Sequence, residues 1–346
     1  MIMKIVADKY IPFLKGVFEP YAEVVYIDGN KICHEDVADA DALIIRTRTK
    51  CDAELLEDTD VKMIATATIG MDHIDLEYCA QKGIEVHNAG GCNAGGVMQY
   101  VFSALYGLAS RKAIKLDDAN FGIIGVGNVG GKVEAMARYL GFNVLRCDPP
   151  RAAAEGEEGF CSLEHLLANC QIVTMHVPLN ETTRGMADEQ FFLQMQPGTI
   201  FINAARGEVM VDDALKEAYP KLGAAIIDTW NNEPDVDEDL IDLVDVATPH
   251  IAGYSFQGKI NGTAMSVQAV ARFFGIEELY EYYPADEEAG HEPVLLDLTG
   301  KNQGEIAALF QYNYPIFTDD FRFRMDPGNF EKMRSNYQYR REIYVE

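Results

Sequence analysis

Residues 121–148, FGIIGVGNVGGKVEAMARYLGFNVLRCD, leave the chain few ways to fold. Residues 121–126 form a short apolar run of the kind buried in a parallel sheet. They lead into Gly125-Val126-Gly127-Asn128-Val129-Gly130, a G-x-G-x-x-G turn, after which 132–140 read as a helix and 143–147 as a second strand. In such a βαβ unit the three glycines serve a tight turn, the approach of a pyrophosphate, and close packing of helix on strand. The start of the helix, around Asn128 and Val129, presents backbone N–H groups and a positive dipole end to phosphate. Asp148 stands eighteen residues beyond Gly130, where a carboxylate accepts hydrogen bonds from ribose hydroxyls. A 2′-phosphate would meet that carboxylate as a like charge, so the predicted cofactor is NAD rather than NADP. Arg151, just beyond, reads as a solvated loop arginine.

The 346 residues are enough for two or three domains, and 48% hydrophobic with 24% charged residues is a globular composition. A formal net charge of −26 argues against nucleic acid and anionic membranes as partners. It also means that an anionic substrate must be held by local arginines and backbone donors. The N-terminal residues lack a signal-peptide apolar core, and no apolar run reaches membrane-spanning length. Seven scattered cysteines without C-x-x-C spacing suit free thiols in a cytoplasmic protein better than a disulfide framework, and they predict no metal site.

Around the nucleotide motif the chain reads as an α/β protein with two doubly wound Rossmann-like domains and a small C-terminal α+β module. Strands expected at 4–7, 24–27, 42–46, 63–66 and 84–87 build the first domain, 1–92, which the helix at 259–274 rejoins to give 1–92 plus 255–280. Two of its strand ends carry polar residues. One is Arg46-Thr47-Arg48-Thr49-Lys50, a candidate anion site, and the other is the Thr/Gly loop from Thr66 to His73. The glycine-rich 89–96 reads as a hinge, with a phosphate cradle as the alternative, before a long apolar helix at 97–109. The nucleotide domain, 93–254, continues with strands at 172–177, 199–205, 224–228 and 245–247. Their ends carry His176-Val177-Pro178, Asn203 to Glu208, Asp228 to Pro234, and Thr248 to Tyr254, all on the edge that faces the nicotinamide. Residues 280–291 are acidic and linker-like. The module 281–346 contains a strand near 294–298, a helix near 305–311 and an aromatic-basic amphipathic helix at 328–337, and its expected job is self-association, with a regulatory small-molecule module as the alternative.

Oxidising a secondary alcohol needs a hydride acceptor, a base and a group that fixes the substrate. His250 is the natural base, Glu233 can hold its other ring nitrogen, and Arg206 can clamp a carboxylate through its planar fork. Each has an ordinary structural explanation alone; together, at successive strand ends after a nucleotide motif, they indicate catalysis. His176 reads as packing or as lining of the cofactor pocket.

Asn203-Ala204-Ala205-Arg206-Gly207, the Asp-x-Trp-x-x-Glu-Pro at 228–234 and the Thr-Pro-His-Ile-Ala-Gly at 248–253 resemble the D-2-hydroxyacid dehydrogenase family. Residues 67–75, Gly91-Cys92-Asn93-Ala94, Cys147-Asp148-Pro149-Pro150-Arg151 and the C-terminal Gly-x-Phe-x-Lys-x-Arg-x-Asn-Tyr are similar to one branch whose C-terminal domain forms homodimers. The resemblance implies an NAD-dependent oxidoreductase acting on a small phosphorylated 2-hydroxyacid. Arg206, Glu233 and His250 would be its catalytic residues. Asp148, Asp228 and Gly253 would contact the cofactor, and Thr47, Thr68 and Tyr254 the substrate. Arg46, Arg48 or Lys50 is assigned to the substrate phosphate from charge and position alone. Thr47 stands where the branch would carry serine, and Ala205 where it would carry cysteine, which bears on substrate preference more than on activity. A dehydrogenase of another 2-hydroxyacid and a non-catalytic NAD-sensing interaction protein stay open as alternatives.

Overall fold

A computed structural model describes residues 3–284 and 291–345, so part of the expected linker lies outside the described residues. The chain divides into two compact units, Met1–Asn93 with Ser255–Glu292 and Ala94–Tyr254 with Pro293–Glu346.

The first unit is built on five parallel strands, β1 (Met3–Asp8), β2 (Ala22–Ile27), β3 (Ala42–Ile45), β4 (Met63–Thr66) and β5 (Glu85–Asn88), in the order β2-β1-β3-β4-β5. β3 and β4 are buried at every position, and apolar but for Thr66, because both faces are covered, the condition that removes alternation from a parallel strand. One face packs on Val267, Val270 and Ala271 of the helix Phe256–Phe274. The other packs on Val37, Leu55 and Leu56. Ser255 starts that helix by accepting the Gly258 N–H at 2.9 Å, and Gly275 ends it in the left-handed region at φ 74°. This is how a segment distant in sequence rejoins the first domain.

The second unit holds six parallel strands, β6 (Asn120–Ile124), β7 (Asn143–Cys147), β8 (Ile172–Met175), β9 (Ile200–Asn203), β10 (Ala224–Ile227) and β11 (Val246–Ala247), ordered β11-β10-β9-β8-β6-β7. The winding reverses between β6 and β8, the place where open α/β sheets bind ligands, and the glycine turn follows β6 there. The helix Ala94–Lys112 is buried almost all round, from Ala94 to Ala109. It begins three residues before the expected start and takes in Gly95 and Gly96 from the predicted hinge. A Cβ on Gly95 would lie 2.1 Å from Glu342 Oε2, so this glycine serves close packing.

The C-terminal residues explain why that helix is so enclosed. The helices Gln303–Asn313 and Ile316–Met325 pack on it. Phe310 is fully buried, its ring 6.4 Å from that of Phe102 and 5.6 Å from that of Tyr106. β12 (Val294–Leu296) and β13 (Ile343–Val345) form a parallel pair. The segment expected as a separate module, 281–346, thus contributes its residues from 293 onward to the same hydrophobic core as the nucleotide-binding sheet. The helix Ile316–Met325 was not anticipated, because its Asp, Arg and Phe residues carry no clean apolar stripe. No helix among the described residues is long and apolar enough to cross a membrane.

Removing a ring from this shared core leaves a cavity that the surrounding helices cannot fill. Phe310→Ala is expected to lower the unfolding free energy by about 3–5 kcal/mol, read from urea denaturation, with the loss felt by the nucleotide-binding sheet itself.

Candidate active site

The three motif glycines divide the labour expected of them. Gly125 sits at φ 84°, and a Cβ there would come 2.8 Å from the His176 backbone carbonyl and 2.9 Å from Val177 Cγ1. A Cβ on Gly130 would lie 2.0 Å from the Gly125 carbonyl oxygen, so the helix can approach the strand only without one. A Cβ on Gly127, by contrast, would meet nothing within 4 Å. Gly127 and Asn128 are exposed, Val129 packs on the core, and Gly127 caps the helix Asn128–Tyr139 without any side-chain bond. The open side of the turn and the uncapped helix start are the features a pyrophosphate needs.

Asp148 receives the Val126 N–H on Oδ2 at 2.7 Å and the Arg151 N–H on Oδ1 at 3.1 Å, which fixes the carboxylate at the end of β7. Arg151 is not simply solvated. It grips Glu155 with Nε and Nη2, each at 2.7 Å, and donates from Nη1 to the Val126 carbonyl. A guanidinium committed in this way leaves the Asp148 carboxylate uncountered by Arg151 at the end of β7, in keeping with NAD. His176 Nε2 lies 3.0 Å from Thr174 Oγ1, and burial pushes its imidazole down to about 3, so the ring is neutral beside the turn.

The loops after β9, β10 and β11 are laced together around Trp230, which is 2% exposed. Gly207 packs against its backbone so tightly that a Cβ would be 1.9 Å from the Trp230 carbonyl carbon. Asn203 Nδ2 donates to the Arg206 carbonyl at 3.0 Å, and its Oδ1 accepts from the Ala205 N–H at 3.1 Å. Arg206 Nη1 in turn donates to the Ala205 carbonyl at 2.8 Å. The Trp230 indole N–H donates to the Thr248 carbonyl at 2.8 Å, and its backbone N–H to Glu233 Oε1 at 3.0 Å.

Glu233 and His250 form the expected pair, with Nδ1 lying 3.0 Å from Oε1 and 2.8 Å from Oε2. Burial pushes the Glu233 carboxyl up, but His250, the Trp230 N–H and Arg334 outweigh it and hold the group below the ordinary glutamate range. An ionised carboxylate only accepts hydrogen bonds, so Nδ1 carries the proton and Nε2 is the nitrogen available to a substrate hydroxyl. His250 itself is held at φ 54°, a left-handed conformation that few side chains occupy and that here aims the ring.

Asp228, expected among the cofactor contacts, is 0% exposed. Its oxygens accept from Thr248 Oγ1 at 2.7 Å and from the Ile251 and Ala252 N–H groups, both at 2.9 Å. In this geometry it organises the turn that carries His250 and Gly253. Tyr254 follows, its ring 5.9 Å from that of Tyr337. The remaining candidates belong to the first unit. Thr68 Oγ1 lies 2.7 Å from Thr66 Oγ1, and Thr47 and Arg48 are exposed in the turn after β3. Arg46 is drawn to the buried Asp8, with Nε to Oδ2 at 3.0 Å, so its charge is largely answered within the sheet edge.

Residues 105–252 match the NAD-binding domain of the D-isomer specific 2-hydroxyacid dehydrogenases. The chain belongs to that family, and it is an NAD-dependent oxidoreductase. An erythronate-4-phosphate dehydrogenase of Bacteroides thetaiotaomicron is 46% identical over 98% of the chain and 97% of its own length. The Bacteroides fragilis protein of the same name is 44% identical over the same shares. Among solved structures, the NAD+-bound 3-phosphoglycerate dehydrogenase of Entamoeba histolytica is 28% identical with a TM-score of 0.68, covering 79% of this chain and 96% of its own.

Gly130→Ala tests the turn directly. The added methyl should push the helix off the strand and weaken NAD binding by at least about tenfold in a calorimetric titration, whereas Gly127→Ala should impair binding only by intruding on the ligand.

Proposed function

We propose that the chain oxidises 4-phospho-D-erythronate at C2 to 2-oxo-3-hydroxy-4-phosphobutanoate, a cytoplasmic step in the formation of pyridoxal 5′-phosphate. The observation that carries this reading is the His250–Glu233 pair at 2.8 Å, beside the Arg206 loop and in a sheet built to bind a dinucleotide. The near-full-length similarity to proteins named for that reaction supports the choice of substrate. When bound, NAD supplies the hydride acceptor. The C2–H bond gives up its electron pair as hydride, His250 Nε2 takes the hydroxyl proton, and the C2–O bond becomes a carbonyl. Glu233 stabilises the imidazolium that results, and the Arg206 guanidinium holds the carboxylate and polarises the neighbouring oxygen. Tyr254, Thr47 and Thr68 are our candidates for substrate contact, and Arg46 or Arg48 for the phosphate.

A panel of phosphorylated 2-hydroxyacids tests the substrate. 4-Phospho-D-erythronate should give the highest kcat/KM, and equal or better turnover of 3-phosphoglycerate would remove the assignment. His250→Ala should cost about 10²–10⁴-fold in kcat while NAD still binds, and unchanged turnover would refute the base.

We further propose that the protein is a homodimer through its C-terminal segment. Tyr312, Phe321, Met325 and Leu295 there are 86%, 61%, 68% and 62% exposed, an apolar surface unusual for a segment that is otherwise well packed. Sedimentation velocity should show a dimer that becomes monomeric in the Phe321→Asp, Met325→Lys double variant. A dimer that survives would refute the segment's role.

A further inference from the structure

Glu233 faces a second cation besides His250. Arg334, on the helix Phe330–Ser335, places Nη1 3.9 Å from Glu233 Oε2, the oxygen that His250 Nδ1 approaches at 2.8 Å. The guanidinium also lies over the Phe330 ring, 5.6 Å from its centroid, and Nη1 is 3.4 Å from the half-exposed Glu331 Oε1. Its Nε is enclosed and makes no hydrogen bond among the described residues. The charged and titratable groups around the pair are therefore His250 and Arg334 on Glu233, with Glu331, Tyr254 and Asp228 acting on Arg334.

A buried carboxylate held by one imidazole is poorly compensated whenever that imidazole is neutral. This is the state a general base must begin in, and without Arg334 the charge would then have only neutral donors, the His250 Nδ1–H and the Trp230 N–H, to answer it. A guanidinium keeps its charge at every working pH, so Arg334 can compensate Glu233 throughout the proton transfer.

Building on the reaction proposed above, we infer that Arg334 is a positioning residue of the catalytic pair: it keeps Glu233 charged and aimed at His250 Nδ1 while the imidazole gains and loses its proton. The C-terminal segment thus reaches the proton-transfer machinery as well as the core. Arg334 touches neither substrate nor cofactor in this role, and its effect passes wholly through Glu233.

Four measurements test this. In the oxidation direction Arg334→Met should lower kcat by about tenfold with KM little changed, and should move the acid limb of the kcat profile up by about one pH unit, because the His250–Glu233 pair takes up a proton more readily once the neighbouring cation is gone. Arg334→Lys, which keeps the charge, should restore most of both. Within a Glu233→Gln background the Arg334→Met change should have no further effect on kcat. A KM increase with an unmoved pH profile would make Arg334 a substrate anchor and overturn the inference, as would full additivity with Glu233→Gln. Titration of the Glu233 carboxyl carbon by NMR, assigned by its absence in Glu233→Gln, needs no substrate. An upward displacement in Arg334→Met supports the inference even if the substrate assignment fails, and an unmoved resonance overturns it.

Discussion

One carboxylate sealed from water governs the geometry of the loops that carry Glu233 and His250. Asp228 has no exposed surface, and burial pushes its carboxyl up, a cost borne only because its oxygens receive three hydrogen bonds. Two of the donors are the backbone N–H groups straight after His250, so the carboxylate dictates the path of that turn. The third, Thr248, is itself 2.7 Å from the Tyr100 hydroxyl on the long buried helix. The left-handed backbone of His250 persists because this network over-determines it.

The same network explains why the C-terminal segment is inseparable from the nucleotide-binding sheet. Tyr100 meets Tyr314 edge to face at 6.3 Å, and Arg340 lies 4.3 Å over the Tyr314 ring while bonding Asp319 at 2.6 Å. Asp320 accepts the Ala247 N–H at 2.7 Å and pairs with Arg324, which also donates to the Ile241 and Val244 carbonyls. The residues that close β11 thus come from a helix more than seventy positions later. A tail joined through buried charges and rings acts as a wall of the core, whatever it also does on its outer face.

How much of this could be read from the residues follows from how local each signal is. The strands of both sheets were legible, because apolar β-branched runs ending in polar loops say little else. So was the division of labour among Gly125, Gly127 and Gly130, and the pairing of Glu233 with His250, since motif and strand-end position coincide. Gly95 was misjudged as part of a hinge because its reason, the carboxylate of Glu342, lies far away in the chain. Arg151 reads as solvated in the sequence because its clamp on Glu155 depends on a helical turn that two prolines disguise. Arg46 looked available until the sheet brought Asp8 beside it. Arg334 had no sequence signal of its own beyond a basic position in an amphipathic helix. Its meaning depends on three-dimensional proximity to Glu233.

The discontinuous first unit carries a consequence for synthesis. Its strands occupy the first ninety residues, yet one face of the sheet shares its core with Val267, Val270 and Ala271 on the returning helix as well as with the nearby Ile11, Leu14 and Phe18. On the ribosome, therefore, the first sheet emerges early with an uncovered apolar face and waits while the whole of Ala94–Tyr254 is made. The second unit waits in turn for Phe310 and Tyr314. The second face of the first sheet, covered by Val37, Leu55 and Leu56, can close early, whereas the face under the returning helix is completed only late in translation.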